Sequence, residues 1–189
     1  DSLNVLEALG KIFIAENRYS EAIDTYQRLQ SFYPENLELN LHLAESYWQL
    51  QELSKAKDVY EKILLFDDEN YNVMLRIGEI YNALGDYSKA GSIYNEVVNC
   101  TTPTMAVYYQ LALTHGNRGK YMPAVLAFHE ALKLAPNDIQ IKYQLGVAYK
   151  ELGVYDQAAH YFEEYIFQYS EDAIAFFLLG ICYLEMDDY

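Results

Sequence analysis

Apolar side chains recur along the chain at the i, i+3, i+4 and i+7 spacing that is typical of one face of an α-helix. In the first helical segment these positions are Leu6, Leu9, Gly10 and Phe13. Short turns such as 16–19, 84–87 and 152–155 separate the segments. The pattern therefore predicts an all-α chain built from pairs of helices that are joined by tight turns.

The helical pattern repeats with a period of 34 residues. One series of small residues lies on the second helix of each pair: Ala22, Ala56, Ala90, Ala124 and Ala158. A second series lies on the first helix: Gly10, Ala44, Gly78, Ala112, Gly146 and Gly180. Aromatic residues follow the alanines at a constant distance: Tyr26, Tyr60, Tyr94, Phe128 and Phe162. Because no insertion interrupts the period, the sequence predicts one array over 1–189. Its repeats are 3–36, 37–70, 71–104, 105–138 and 139–172, with a half repeat at 173–189.

Turn residues predict where the helices begin and end. Glycine suits the left-handed residue that closes a first helix at Gly85, Gly119 and Gly153. A serine or aspartate is expected to cap each second helix at Ser20, Ser54, Ser88 and Asp156. In the third repeat, the β-branched residues after Cys100 predict that the second helix frays early.

Because several series share one period, the chain resembles the tetratricopeptide-repeat family over residues 3–189. The resemblance depends on the Leu-Gly or Leu-Ala pairs of the first helices, the aromatic residue beyond them, the central alanine and the closing proline. The pairs are Leu9-Gly10, Leu43-Ala44 and Leu145-Gly146. The resemblance implies a right-handed superhelical solenoid of antiparallel helix pairs, whose first helices line a concave groove. It also implies a scaffold or adaptor that binds a peptide or helix of a partner protein in that groove.

The resemblance also implies which residues line the groove, because in this family they are first-helix residues outside the packing positions. On this sequence they are Glu7, Lys11, Leu41, His42, Glu45, Trp48, Leu75, Arg76, Glu79, Tyr109, Leu113, Asn117, Tyr143, Val147 and Lys150. Trp48 is the only tryptophan, and it either anchors a ligand or packs on the next repeat. An apolar stripe is expected at Leu41, Leu75, Tyr109 and Tyr143. It either holds a peptide or is filled by neighbouring repeats.

The net charge of −15 restricts the partners. A polyanion repels both nucleic acid and an acidic membrane surface, so neither a nucleic-acid partner nor direct membrane insertion is predicted. The groove positions lack the grouped cations with which some family members hold a C-terminal carboxylate. By elimination and charge, a protein or peptide with basic and apolar residues is the expected partner.

Catalytic, metal and cofactor sites are not predicted. The histidines His42, His115, His129 and His160 are spread over three repeats, at different places within them, and have no ligand spacing. The chain has no glycine-rich phosphate loop and no nucleophile motif. An open groove also seldom closes around a carboxylate pair, so an enzyme is not expected.

The last helical segment, from Ala173, is apolar almost all round, although a terminal repeat normally needs a polar cap. We therefore expect that the chain continues beyond Tyr189, or that this helix pairs with another copy. Two other functions remain open. One is a structural scaffold that self-assembles through its end helices, as some members of the family do. The other is a targeting or regulatory module of a larger protein.

Overall fold

The computed structural model describes residues 2–187, and these residues are helical with short turns. The helices are α1 (Ser2–Ala15), α2 (Tyr19–Gln30), α3 (Leu37–Gln49), α4 (Leu53–Leu64), α5 (Tyr71–Ala83), α6 (Tyr87–Cys100), α7 (Met105–Asn117), α8 (Tyr121–Leu134), α9 (Ile139–Glu151), α10 (Tyr155–Gln168) and α11 (Ala173–Asp187). Within residues 2–187 there is no β-strand, so the predicted all-α class is confirmed. None of the helices in that range is long and apolar enough to cross a membrane.

The chain divides into two compact units, Asp1–Asp86 and Tyr87–Tyr189. The first unit contains α1 to α5, and the second unit contains α6 to α11. Within each unit, consecutive helices pack against one another along the chain. Contacts of this kind are expected of a repeat protein, because each helix pair buries its apolar face against its neighbours.

Small residues on one helix make room for an aromatic ring from the next helix. The alanines at the second-helix position are fully buried: Ala22, Ala56, Ala90, Ala124 and Ala158. The rings that follow them are buried as well: Tyr26, Tyr60, Tyr94, Phe128 and Phe162. A Cβ atom added at Gly10 would stand 2.7 Å from Cζ of Tyr26, and one at Gly146 would stand 2.9 Å from Cε1 of Phe162. Glycine is therefore required at both places, since the ring occupies the space of a side chain.

The turn inside each helix pair is a Schellman motif. Its left-handed residue is glycine at the three predicted positions, but Asn17 and Gln51 adopt the same conformation with φ of 58° and 60°. In the first turn the Asn17 N–H donates to the Ile14 carbonyl at 3.0 Å, and the Arg18 N–H donates to the Phe13 carbonyl at 2.8 Å. The four later turns repeat both hydrogen bonds. The carbonyls at the end of each first helix are thus satisfied by the backbone itself.

The second helices begin two residues earlier than predicted. The expected caps are instead the second residues of their helices: Ser20, Ser54, Ser88 and Asp156. The N-cap of α2 is Arg18, and its side chain accepts no hydrogen bond from a backbone N–H of the helix. Arg18 also closes the Schellman motif, so one residue ends the first helix and starts the second. No position remains for a separate capping residue, and the capping prediction is wrong for this reason.

Side-chain caps are found on the first helices instead. The Asn36 side chain accepts a hydrogen bond from the Leu39 N–H at 2.9 Å. Equivalent acceptors at the 34-residue spacing are Asn70, Asp138 and Asp172. Thr104 is the N-cap of α7 but makes no such bond. A side-chain cap contributes about 1 kcal/mol.

The second helix of the third repeat does not fray early, which corrects the prediction. Helix α6 extends through Cys100. The Val97 carbonyl accepts hydrogen bonds from the Thr101 N–H at 3.1 Å and from the Thr101 hydroxyl at 2.7 Å. In a helix interior a threonine hydroxyl competes with the backbone hydrogen bonds. At the end of α6 the Thr101 hydroxyl instead adds a hydrogen bond to a terminal carbonyl and so stabilises the helix end.

A polar contact recurs between a second helix and the tyrosine twenty residues later on the next first helix. These pairs are Gln27–Tyr47, Glu61–Tyr81, His129–Tyr149 and Glu163–Tyr183. Asn95 and His115 occupy the equivalent positions between α6 and α7. There Asn95 donates to the Gly91 carbonyl at 2.8 Å, and Nδ1 of His115 is buried without a partner.

Candidate functional site

In the first unit, one lysine links the first helices of two consecutive pairs. Nζ of Lys11 on α1 lies 2.9 Å from Oε1 of Glu7 and 2.8 Å from Oε1 of Glu38, at the start of α3. Nε2 of His42 lies 3.6 Å from the same Glu38 oxygen. The hydrogen bonds that Lys11 donates to Glu38 and then to Glu7 raise the pKa of Lys11, and the bond from Lys11 lowers the pKa of Glu38. Two carboxylates therefore share one cation at this surface.

These charged groups border a cavity of about 170 Å³ that lies within the first unit. Its polar wall contains Glu7, Glu38 and His42, and its apolar wall contains Leu3, Leu29 and Leu39. Tyr26 of α2 also lines it, and the Tyr26 ring stacks on His42 with 5.3 Å between centroids. The Tyr26 hydroxyl is buried and has no hydrogen-bond partner. Burial raises the pKa of this phenol to about 12.

A second cavity of the first unit, about 300 Å³, lies where α3, α4 and α5 meet. Its lining brings together four predicted groove residues: Leu41, His42, Glu45 and Arg76. The Tyr60 hydroxyl donates to Oε2 of Glu45 at 3.3 Å. Burial, followed by the charge of Glu45, raises the pKa of Tyr60. Nη1 of Arg76 pairs with Oε2 of Glu79 at 2.9 Å, so this cation already has a carboxylate partner.

The second unit presents a different surface at the corresponding helix positions. A cavity of about 300 Å³ there is formed by α7, α8 and α9. Its lining includes the predicted residues Leu113, Asn117 and Val147, together with Gln144. The charged residue in the lining is Glu151, and Nζ of Lys150 lies 2.6 Å from its Oε1. The lining of this cavity therefore combines apolar side chains with two amide groups.

The two predicted tyrosines of the second unit are partly buried against phenylalanines. Tyr109 packs edge-on against Phe128, with 5.7 Å between ring centroids. Tyr143 packs in the same way against Phe162 at 5.8 Å and contacts Tyr165 at 4.7 Å. Burial raises the pKa of both Tyr109 and Tyr143. Part of each tyrosine side chain remains accessible to solvent.

Two other predicted residues lie outside the cavities described above. Trp48 and Leu75 are half-buried, and neither lines the two cavities of the first unit. The polar side chains that line these two cavities include Glu38, His42 and Glu45.

Sequence reasoning missed the part that core tyrosines take in these cavities. Tyr26 and Tyr60 belong to the buried aromatic series, yet each places its ring in a cavity wall. A signal was present, because each ring belongs to a second helix that packs between two first helices. The periodicity marks both tyrosines as core residues but does not show what their hydroxyl groups contact.

The chain is similar to known tetratricopeptide-repeat sequences along most of its length. Four family models described as "Tetratricopeptide repeat" match residues 13–69, 72–99, 106–138 and 143–189. No curated protein matches the sequence.

Solved structures with the same fold include three that cover most of the chain. A tetratricopeptide repeat protein from Parabacteroides merdae ATCC 43184 is 20% identical, covers 98% of this chain and 74% of its own, and has a TM-score of 0.86. MamA from Desulfovibrio magneticus RS-1 is 18% identical, and the match covers 92% of this chain and 98% of MamA, with a TM-score of 0.83. YrrB, described as a TPR protein with an unusual peptide-binding site, is 20% identical. The match covers 86% of this chain and 84% of YrrB, with a TM-score of 0.76. At these identities the likeness shows the fold alone.

Proposed function

The chain belongs to the tetratricopeptide-repeat family, and from this premise we propose that it is a protein-interaction scaffold that binds a peptide or helix of a partner protein. Proteins of this family are in general scaffolds without catalytic activity, which supports a binding role over an enzymatic one. The peptide-binding site named for YrrB supports the same choice. The partner is expected to carry apolar residues together with basic ones.

The observation that carries this proposal is the cavity between α7 and α9. Leu113 and Val147 contribute apolar side chains to its lining, against which an apolar side chain of a peptide can be buried. Asn117 and Gln144 also line it, and their amides can both donate to and accept from a peptide backbone. An apolar floor with a few polar groups that set orientation is typical of a peptide-binding groove.

A selection experiment tests this proposal. Peptides are selected on the intact chain from a phage-displayed library of random sequences, and the strongest are measured by fluorescence anisotropy. Leu113→Asp and Val147→Asp should each weaken binding at least tenfold, because a carboxylate must then be buried under the ligand. The matched control is Leu126→Asp on α8, at a side chain that is 61% exposed in the same unit. The proposal fails if no peptide is selected, or if all three variants bind equally well.

A second candidate function is association between copies of the chain through α11. Three of its apolar side chains are well exposed: Ile174 at 65%, Phe177 at 69% and Leu184 at 70%. Light scattering over a wide concentration range, on the parent and on Phe177→Asp with Leu184→Asp, tests it. Association that the double substitution abolishes supports this candidate, and a parent that stays monomeric excludes it.

A further inference from the structure

Gly116 lies in the last turn of α7, at a place where packing does not require glycine. No atom of a packing neighbour lies within 4 Å of a Cβ built there. By contrast, a Cβ at Gly10 or at Gly146 would stand 2.7 or 2.9 Å from a core aromatic ring. Glycine inside a helix destabilises it relative to alanine. A local cost that the core does not explain is expected at a functional site.

The other complete repeats carry a longer side chain at the position of Gly116. At the 34-residue spacing these residues are Ile14, Trp48, Asn82 and Lys150, and each of them is half-buried. In the second repeat the side chain at this position is therefore an indole, from the only tryptophan of the chain. The array covers this place with its own side chain in four repeats, and the fourth repeat leaves it open.

The open space at Gly116 belongs to the 300 Å³ cavity that is formed by α7, α8 and α9. A cavity of about 150 Å³ is enough to hold one benzene ring, so this one has room for a bicyclic side chain. Four residues of its lining are partly exposed and carry no charge: Leu113, Gly116, Tyr121 and Val147. A side chain from outside can therefore contact them without displacing a buried group.

Two side-chain amides of the same lining have hydrogen-bonding capacity to spare. Asn117 is exposed and Gln144 is half-buried. In the part of the chain that the structure describes, neither amide has a hydrogen-bond partner. Each offers an oxygen that can accept from an N–H group. The cavity therefore suits a ring system that carries an N–H donor, because the donor would find an acceptor once the ring is buried.

We propose that this cavity binds a tryptophan side chain of the partner peptide, with its indole in the space that Gly116 leaves open. The two fused rings match the room in the cavity, and the indole N–H can donate to the amide oxygen of Asn117 or Gln144. Phenylalanine lacks this donor and fills less of the space, and leucine has neither the ring nor the donor. The inference rests on the proposed function, because it names the residue that anchors the peptide.

The test uses N-acetyl-L-tryptophan amide as the probe and follows the backbone amide chemical shifts of the intact chain by NMR. Saturable shifts are expected near Leu113, Gly116 and Val147. N-acetyl-L-phenylalanine amide and N-acetyl-L-leucine amide are the control probes. Each should bind at least roughly threefold more weakly, because it buries less apolar surface and donates no side-chain hydrogen bond. Equal binding of either control would overturn the assignment to tryptophan, and the absence of saturable shifts at the cavity would overturn the site.

The substitution Gly116→Leu separates a blocked cavity from a damaged fold. Leucine has the better helix propensity and open space in front of it, so the melting midpoint should be unchanged or higher. Binding of tryptophan amide should fall at least roughly tenfold, because the new side chain occupies the place of the indole. Ile14→Leu puts the same side chain at the equivalent position of the first repeat, and it should keep the parent affinity. A stable Gly116→Leu variant that binds the probe as the parent does would overturn the proposal.

A smaller substitution covers the case in which leucine lowers the melting midpoint. Gly116→Ala adds one methyl group to the cavity and should weaken the probe at least roughly twofold without loss of stability. Unchanged affinity in this variant, together with unchanged affinity in Gly116→Leu, would show that the probe does not enter the space at Gly116.

The peptide selection and the probe titration fail in different ways. Selected peptides should carry a tryptophan, and Gly116→Leu should weaken them as it weakens the probe. Peptides that depend on Leu113 and Val147 but carry no tryptophan would overturn this inference alone. A probe that binds in the cavity while no peptide is selected would overturn the proposed peptide groove and leave the indole pocket standing.

Discussion

The two units carry different chemistry at the same position of the repeat. In the first unit that position holds Lys11, Glu45 and Glu79, and each of these forms an ion pair or a hydrogen bond to a neighbouring side chain. In the second unit it holds Leu113 and Val147, which line an apolar cavity. The helix geometry is shared, so the difference comes from side chains alone.

This comparison teaches that the repeat specifies a backbone and leaves the surface free to vary. The packing positions are occupied by alanine, glycine and large rings in both units, because each ring must fit into a space of fixed size. The first-helix positions outside the core carry no such restriction. One unit can therefore present charge while the other presents apolar and amide groups.

The largest expected effect comes from filling the space in front of a core ring. Gly146→Ala in the second unit should cost about 2 kcal/mol, because the new Cβ would stand 2.9 Å from the Phe162 ring. Gly10→Ala in the first unit brings Cβ to 2.7 Å from Tyr26, but that ring borders a cavity into which it can shift. We therefore expect the smaller loss at Gly10. Urea denaturation of both variants measures the two costs.

The matched control for this pair is Gly116→Ala on α7. No atom lies within 4 Å of a Cβ at Gly116, so alanine should be neutral or stabilising there through its better helix propensity. A Gly10→Ala variant that loses more stability than Gly146→Ala would show that the cavity gives the Tyr26 ring no room.

The next effect concerns His115, a partly buried histidine of the second unit. Burial, and then the charges of Arg118 and Lys120, lower the pKa of His115 below its ordinary value of 6.5. The unfolded chain therefore binds the proton more readily, and stability present above pH 6.5 is lost as the pH falls toward the folded pKa. His115→Tyr removes this titration and supplies the ring found at the equivalent positions 47, 81 and 149.

The expected gain for His115→Tyr is about 1 kcal/mol, since a buried unpaired nitrogen is also removed. Urea midpoints at pH 7.5 and pH 5.5 should lie closer together in the variant than in the parent. Burial also lowers the pKa of His129, so part of the acid sensitivity should remain. His160→Gln, at an exposed histidine of the same unit, is the control. A variant with the full pH dependence of the parent would contradict the assignment to His115.

The smallest effect compares the caps of the two units. Asn70→Ala should cost roughly 0.5–1 kcal/mol at any pH, because an amide cap does not titrate. Asp172 caps α11, and hydrogen bonds led by that from the Ala175 N–H lower its pKa below 3.8. Its contribution is therefore present above pH 3.8 and is lost as the pH falls through the folded pKa.

The measurement is the melting midpoint at pH 6 and at pH 3, for the parent and for Asp172→Asn. The variant keeps an acceptor that does not titrate, so its midpoint should fall less on acidification than that of the parent. Identical pH dependence of the two proteins would show that Asp172 makes no net contribution as a charged cap.

Much of the fold could be predicted from sequence, because the features that set it are local and periodic. The left-handed glycines Gly85, Gly119 and Gly153 and the buried alanine and aromatic series lie where the pattern placed them. The caps of the second helices were misplaced, because a serine in the first turn resembles an N-cap by composition alone. Asn17 and Gln51 show that the backbone closes the turn even where glycine is absent.

The candidate site was less accessible to prediction. The repeat position identifies Leu113 and Val147, which line one cavity, and His42, which lines two. It does not show that Lys11 is held by two glutamates or that Arg76 is paired with Glu79. Those contacts depend on the reach and rotamer of long side chains, which periodicity does not encode.

The sequence by itself determined the helix pairs, their register and the core, because the period of apolar positions and the need for small residues beside large rings are properties of the chain read in order. Only the tertiary structure decided which polar atoms find partners. Tyr60 reaches Glu45, whereas Tyr26, at the same place in its own repeat, is left without a partner. The physical reason is that the Tyr60–Glu45 hydrogen bond joins two different helices, so its atoms must come within about 3 Å of each other, and that distance is set by packing.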